Sequence, residues 1–433
     1  MSTEVGKEVS IAGWVDVRRD HGKLIFIDLR DASGFVQMVV LPNHTEAHAS
    51  AETVRPEWVV CVEGIVNKRP EKMVKEGLNG DVELEVKNLQ VLGSAKELPF
   101  EKGADLNIDT VFDYLPLTLR TKERQAIFRL QAILIQLFRE FFIQENFVEI
   151  QAPKLIGDDA EGGANSFNVE YFKHTAHLAQ SPQFYKQIMV GVFERVFATG
   201  NVYRAEKHAT TRHLNEYTSL DMEMGFIDSF KDIMRMENDL LLFIMPLLAQ
   251  RAERELALLR ATLPVVPKEI PALTLREAQA LISKETGEDC TKEPDLEPAH
   301  ERWLCEYAQK TFNSEFIFIT HFPLSKRPMY TFEDPENLGC AAGFDLLFRG
   351  VEITTGGQRI HEYDALVSEM TKRGLDPEKF RFYLQAFKYG MPPHGGFGLG
   401  LERLTAKLLG IENVKEATLF PRDLNRIDNR LAE

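Results

Sequence analysis

Residues 390–404 read GMPPHGGFGLGLERL, a glycine-dense run that passes into an apolar stretch carrying one Glu and one Arg. Glycines ahead of a helix suggest a phosphate-binding device, and two common ones can be tested. A P-loop requires GxxxxGK[ST], and no Lys-Ser or Lys-Thr follows these glycines. The dinucleotide fingerprint GxGxxG fails too: from Gly396 the register reaches Leu401, and from Gly398 it reaches Arg403. No βαβ pattern surrounds the run. It is a nucleotide-site candidate that belongs to neither class.

Three stretches upstream carry further chemistry. VYRAEKHATTRHLNEYTSLDMEM (202–224) reads strand, polar loop, strand. Arg204 and Glu206 leave one face of the first strand, and Asp221 and Glu223 leave one face of the return strand. Such charges are costly to bury without partners. The loop between them adds Lys207, His208, Arg212 and His213, suitable ligands for a polyphosphate. AQSPQFYKQ (179–187) puts Gln183 and Lys186 one helical turn apart. GVEITTGGQRIHEY (350–363) offers Glu352 and Thr355 as hard-oxygen candidates for Mg²⁺, with Arg359 after two glycines that let backbone come close. Taken singly, each stretch also fits a solvated hairpin, a helix face or a sheet-edge turn.

The rest of the chain gives these stretches a setting. Residues 8–93 hold five β-rich runs (EVSIAGWVDV, KLIFIDLRD, GFVQMVVL, EWVVCVEGIV and DVELEVKNLQVL) with a helical stretch, HTEAHASAETVR, after the third. That order suggests a five-stranded OB-fold barrel, a platform for single-stranded nucleic acid, with other small β-barrels left open. A polar, Pro-punctuated connector at 97–121 predicts domains at 1–100 and 122–433 with a hinge over 101–121. From Lys122 to Phe142 apolar residues recur at helical spacing. NFVEIQAPKL reads as a strand stopped by Pro153, and IGDDAEGGANSF as a mobile loop. A mainly helical segment spans about 229–310. FIFITHFPL, PMYTFED and AGFDLLFRGVEITTGGQ then form a strand-rich block. Strands grouped around long helices predict an α+β domain with a mostly antiparallel sheet flanked by helices.

Composition narrows the function. The 433-residue chain is long enough for two or three domains, and its net charge of −15 argues against indiscriminate nucleic-acid binding. Four cysteines lie far apart with no CxxC, so a cysteine-based zinc site is not expected. There is no apolar leader at the N-terminus and no 18-residue apolar run, which predicts a cytoplasmic protein with no membrane association.

Together these stretches resemble the class II aminoacyl-tRNA synthetases, and within them the aspartyl branch. NFVEIQAP is similar to the family's first motif, YRAE with its loop to the second, and GFGLGLERL to the third. AEGGANSF, AQSPQFYKQ, TTRHLNEYTSLDMEM and EITTGGQRIH are characteristic of the aspartyl branch. The resemblance implies an aspartate–tRNA ligase that uses ATP and Mg²⁺, with tRNA-Asp as partner and a homodimer built on the first motif. It leaves open whether tRNA-Asn is charged as well.

By that resemblance, Arg204 contacts the α-phosphate, Glu206 lies near the adenine amino group, and Tyr217 stacks under adenine. His213 and Arg403 hold the β- and γ-phosphates, Arg212 adds to the nucleotide site, and Gly400 belongs to a segment that lets nucleotide lie against backbone. Glu352 ligates Mg²⁺ with help from Thr355. Lys186 and Arg359 grip the substrate's side-chain carboxylate, helped by Gln183 and Asp221, while Glu161 closes over the amino group. In the barrel, Phe26 and Gln37 match positions that contact an anticodon base, with Arg19 and Arg30 nearby in sequence. The chain lacks the large insertion of many bacterial aspartyl enzymes but carries a longer, bacterial-like KRPEKMVKEGLNGDVELEV run.

The chemistry agrees independently. Joining a carboxylate to ATP brings two anions together, so positive charge is needed on both sides of the α-phosphate. The attacking carboxylate is already ionised, and no base is required. The rivals are an asparaginyl-tRNA synthetase and, from another class, a catalytically inactive RNA-binding paralogue. Occupied arginine positions 204, 359 and 403 argue against the second.

Overall fold

The computed structural model describes residues 1–157, 166–208 and 210–431, and the chain divides into two compact units, Met1–Leu106 and Asn107–Glu433. No helix among the described residues is long and apolar enough to cross a membrane.

In the first unit, alternating apolar and polar residues draw the strands β1 (Glu8–Asp20), β2 (Ile25–Arg30), β3 (Phe35–Val40), β4 (Val59–Lys68) and β5 (Val82–Gly93). Helix α1 (Thr45–Thr53) follows β3. The strands close into a barrel in the order β1-β2-β3-β5-β4. Ile25, Ile27, Met38, Val60, Val62, Leu84 and Val86 fill its interior with no exposure. The OB-fold expectation is met. Arg30, expected near the anticodon contacts, is largely buried. It is 7% exposed and donates to Asp16 Oδ1 (2.8 Å) and Glu57 Oε2 (2.9 Å), and Lys102 pairs with both acids. A buried arginine shared by two carboxylates ties this part of the barrel together, because removing either side would strand a charge.

The second unit begins with α2 (Ile108–Asp113) and α3 (Leu115–Thr118), both within the stretch read as connector, and then α4 (Lys122–Gln144). Thr121 caps α4 by accepting from Arg124 N–H, and Ile127, Leu130, Leu134, Leu137, Phe138 and Phe141 bury one stripe, as the spacing predicted. NFVEIQAPKL yields two short pieces instead of one strand, β6 (Val148–Glu149) and β7 (Leu155–Ile156). Pro153 between them has no N–H to give a ladder. The chain continues through β8 (Asn168–Tyr171), β9 (His174–Leu178), α5 (Gln183–Phe193), β10 (Arg195–Tyr203), β11 (Glu216–Gly225), α6 (Phe230–Arg251) and α7 (Glu253–Leu259). Then come β12 (Ala272–Thr274), α8 (Leu275–Thr286), α9 (Pro298–Phe312), β13 (Phe316–Thr320), β14 (Gly343–Phe348) and β15 (Val351–Arg359). Last are α10 (Tyr363–Lys372), α11 (Arg381–Lys388), β16 (His394–Gly400) and α12 (Leu401–Leu409). PMYTFED, expected in a strand, makes only isolated bridges at Thr331 and Glu333.

An eight-stranded sheet runs β12-β13-β14-β15-β16-β11-β10-β6, antiparallel except at its two end pairs. One face carries the main core, where Phe138, Phe142, Leu241 and Leu404 meet Phe197, Met222, Phe397 and Leu399. The other face is covered only at its flanks. Near β12–β14, α8 and α9 pack on Ile317, Ile319 and Leu347. Near β10, Val190 and Tyr383 of α5 and α11 join Val196 in a further core. The gap between these flanks, over the central strands, is the site.

Candidate active site

Strand alternation builds the deep end of the gap. On β11, Leu220 and Met222 enter the core, so Ser219, Asp221 and Glu223 face the opposite way. Glu223 has no exposure and accepts from Arg359 Nε (2.9 Å) at the end of β15. Lys186, 1% exposed on α5, donates to Asp221 Oδ1 (3.0 Å) and lies 3.3 Å from Glu223. Burial alone would raise Glu223, but Arg359 and Lys186 outweigh it and hold the carboxyl below its ordinary value. Behind this quartet, Gln187 donates to His394 Nε2 (2.9 Å) and accepts from Tyr383 Oη (3.1 Å), while His394 Nδ1 meets Pro392 O (2.9 Å). Burial pushes His394 down to about 4, so the imidazole is neutral and its two nitrogens play opposite roles.

The same quartet explains the glycine run. β16 pairs with β11 so that Gly396 lies opposite Glu223 and Gly398 opposite Asp221. A Cβ on Gly396 would stand 2.1 Å from Met222 O and 2.3 Å from Glu223 Oε2. One on Gly398 would stand 3.1 Å from Asp221 Oδ1. These two glycines make room for buried acids. The resemblance has the glycines admit nucleotide: Gly398 and Gly400 line the cavity, and a Cβ on Gly400 would have nothing nearer than Arg403 at 3.8 Å.

The shallow end gathers the remaining charges. Arg204 Cζ lies 5.6 Å from the Tyr217 ring centre. Arg403, in the first turn of α12, donates to Glu352 O (2.9 Å) and lies 3.8 Å from its carboxylate. Glu352 and Thr355 are three residues apart, a spacing that puts strand residues on opposite faces. A bulge at Ile353, where the pairing jumps from Leu346–Thr354 to Leu347–Glu352, returns both to one face. Thr355 Oγ1 then donates to Glu352 Oε1 (2.7 Å). Burial works to raise Glu352, but Arg403, the Thr355 hydroxyl, Arg327 and Arg204 together keep it low. His213, bonded to Thr210 Oγ1, is lowered by burial and by Arg403 and Arg212, against the pull of Glu206.

The nucleotide and amino-acid residues assigned by the resemblance line one cavity of about 730 Å³, apart from Glu161, which lies outside the described residues; Lys207 and His208, the other loop candidates, are exposed and do not line it. Asp345 was not anticipated. It lies opposite Thr355 on β14 and accepts from Arg327 through Oδ2 (2.8 Å), while its Oδ1 is buried with no hydrogen-bond partner among the described residues. Burial and the Glu352 charge push it up to about 6 against Arg327. Its signal in the sequence was a lone acid inside the apolar run GFDLLF. In the barrel, Phe26 and Gln37 alternate with buried Ile25, Ile27, Val36 and Met38, so they point outward. Arg19 forks onto Asp28 (2.9 Å twice), and Gln37 lies between Glu83 (3.5 Å) and Lys75 (3.3 Å).

Comparison with known proteins agrees with this geometry. The family tRNA synthetases class II (D, K and N) matches residues 107–424, and the OB-fold nucleic acid binding domain matches residues 9–92. A Thermus thermophilus protein named aspartate–tRNA(Asp/Asn) ligase is 44% identical over 432 residues, covering 99% of this chain and 98% of its own. A Pyrococcus abyssi protein named aspartate–tRNA(Asp) ligase is 39% identical over 428 residues, covering 98% and 96%. The crystal structure of asparaginyl-tRNA synthetase from Pyrococcus horikoshii complexed with asparaginyl-adenylate superposes with a TM-score of 0.90 at 32% identity, covering 98% and 97%. The chain belongs to the class II tRNA synthetases of the D, K and N group.

Proposed function

We propose that this synthetase is an aspartate–tRNA ligase. The observation that carries the reading is the buried pair Lys186 and Arg359 at the closed end of the cavity, held by Asp221 and Glu223. Two donors of positive charge suit a side-chain carboxylate. An amide would turn its NH₂ donors toward other donors. Asp221 and Glu223 orient the cations and neutralise them between substrates, with Gln183 beside them and Glu161 assigned to the substrate's amino group.

In the first step the α-carboxylate of aspartate attacks the α-phosphorus of ATP, forming the mixed anhydride and releasing pyrophosphate. Arg204 serves the α-phosphate, with Arg403, Arg212 and His213 on the outer phosphates, the adenine on Tyr217 and its amino group near Glu206. In the second, a terminal ribose hydroxyl of tRNA attacks the aspartyl carbonyl and AMP departs, a step governed by positioning. Mg²⁺ fits at Glu352, with Asp345 and Thr355: the partnerless Asp345 oxygen next to a second carboxylate is a hard-oxygen set short of a cation. No three His, Cys, Asp or Glu side chains cluster as a metal site among the described residues, so phosphate oxygens would complete the shell. When bound, the ion neutralises phosphate charge.

tRNA-Asp is the proposed partner, with Phe26, Gln37 and Arg19 on the outer face of the barrel as its anticodon contacts. The name of the 44% identical relative includes both tRNAs, which puts tRNA-Asn into the test. A homodimer is supported by the outermost strand β6, where Val148 is 40% exposed and neighbouring Ile143 60%. The proposal is tested by ATP–pyrophosphate exchange with aspartate, asparagine and lysine in parallel, then charging of tRNA-Asp and tRNA-Asn. Aspartate alone should support exchange, and a preference for asparagine overturns the reading. Phe26→Ala should weaken charging about ten- to a hundredfold while sparing exchange, the scale of one lost base stack.

A further inference from the structure

Helix α9 lies mostly in the segment read from sequence only as mainly helical, yet its first turn brings Glu301 against Arg212 and Glu352, which line the shallow end of the cavity. Glu301 forms an ion pair with Arg212 Nη2, and its Oε2 also accepts from Glu352 N–H (3.4 Å). Both partners belong to the nucleotide machinery proposed above. A carboxylate beside a site for polyphosphate repels the ligand, so its presence needs a reason.

The two partners differ in rigidity. Glu301 stands on a 15-residue helix locked by Leu304, Cys305 and Ala308 against Ile317, Ile319 and Leu347, and its side chain is 12% exposed. Arg212 stands in the loop between β10 and β11, where Lys207, His208, Thr210 and Thr211 are exposed. A guanidinium carries five N–H donors in a planar fork, so fixing one end fixes the plane of the rest. We infer that Glu301 is a positioning residue: it holds the Arg212 guanidinium in place so that the donors it does not use are presented to the outer phosphates of ATP. The ion pair cancels the charge of Glu301, and the pre-set fork then meets phosphate without first being ordered. This inference rests on the ATP-dependent activation proposed above.

The test is ATP–pyrophosphate exchange at saturating aspartate for wild type, Glu301→Gln, Glu301→Asp, Arg212→Ala and the double variant Glu301→Gln/Arg212→Ala. Melting temperatures accompany the kinetics. Glu301→Gln should raise KM for ATP about five- to tenfold, the cost of ordering one long side chain at binding, with kcat within about twofold. Glu301→Asp should recover part of the loss, and KM for aspartate should not move. Because Glu301 acts through Arg212, the double variant should be no worse than Arg212→Ala alone. A lower or unchanged KM for ATP in Glu301→Gln overturns the inference, as does a double variant showing the product of the two single effects. Should Glu301→Gln melt far below wild type, Glu301→Asp against Arg212→Ala carries the same comparison. A wild type without aspartate-dependent exchange would instead sink the functional reading itself.

Discussion

Glu223 and Glu237 are glutamates with no solvent exposure, on opposite sides of one sheet. Glu223 faces the cavity between Lys186 and Arg359, and is held below its ordinary pKa. Glu237, on α6 against the back of β15, has no hydrogen-bond partner on either oxygen among the described residues, and burial pushes it up to about 8. Burial is the same, so the counter-charge decides. The cavity side stores its charges as tight pairs ready to receive a substrate, whereas the core side keeps its acid neutral.

The most severe way to break this contrast is Gly396→Ala. The new methyl would meet Met222 O, a backbone atom of the neighbouring strand, and the Glu223 carboxylate, and neither can retreat without breaking the sheet or the ion pairs. Loss of soluble protein, or a melting point far below wild type, is expected. Gly400→Ala, with its nearest neighbour a side chain at 3.8 Å, should fold normally by the same measurement. At the shallow end, Arg403→Ala should lower aspartate-dependent exchange by about a hundredfold, the scale of one lost transition-state donor. Arg403→Lys should recover little, because a point charge does not reproduce the fork.

A smaller effect sharpens the core side. The folded pKa of Glu237 is about 8, against an unfolded value near 4.3, so between these values the native state holds the proton more tightly. The contribution of Glu237 is therefore intact below pH ~4.3 and lost as pH rises toward 8, up to about 1.4 kcal/mol per pH unit. Glu237→Gln, which mimics the protonated acid, should flatten that slope. Denaturant titrations at pH 6 and pH 8.5 measure it, and equal slopes for both proteins would show that Glu237 has a counter-charge after all.

Much of this was legible in the sequence, for physical reasons. The barrel and α4 follow from period-two and helical spacing, and the residues of the cavity sit in short motifs that each have a bland explanation alone but point to one site when read together. What could not be read depends on register. Ile353 is an ordinary strand residue in sequence, yet its bulge is what brings Glu352 and Thr355 to one face. Gly396 and Gly398 resembled a phosphate loop until pairing placed them opposite Glu223 and Asp221. Arg30 sits near Phe26 in sequence, but Phe26 points outward from its strand while Arg30 is drawn into pairs with Asp16 and Glu57. Glu301 is a single acid far from any motif, and Asp345 a lone acid in the apolar run just ahead of Glu352; packing of α9 and the register of β14 against β15 bring them to the site.

The central claim is that the Lys186–Arg359 pair selects a carboxylate over an amide, and kcat/KM for aspartate and asparagine in wild type and Arg359→Leu tests it most directly. In wild type, aspartate should be favoured by roughly 10²–10³-fold or more, the scale of the about 3–5 kcal/mol that an uncompensated buried charge costs. Arg359→Leu removes one donor and leaves Glu223 nearer the condition of Glu237. Aspartate activation should fall severely and the ratio should narrow, without producing an efficient asparagine enzyme. A wild type that prefers asparagine, or an Arg359→Leu variant that keeps the full preference for aspartate, would contradict the account.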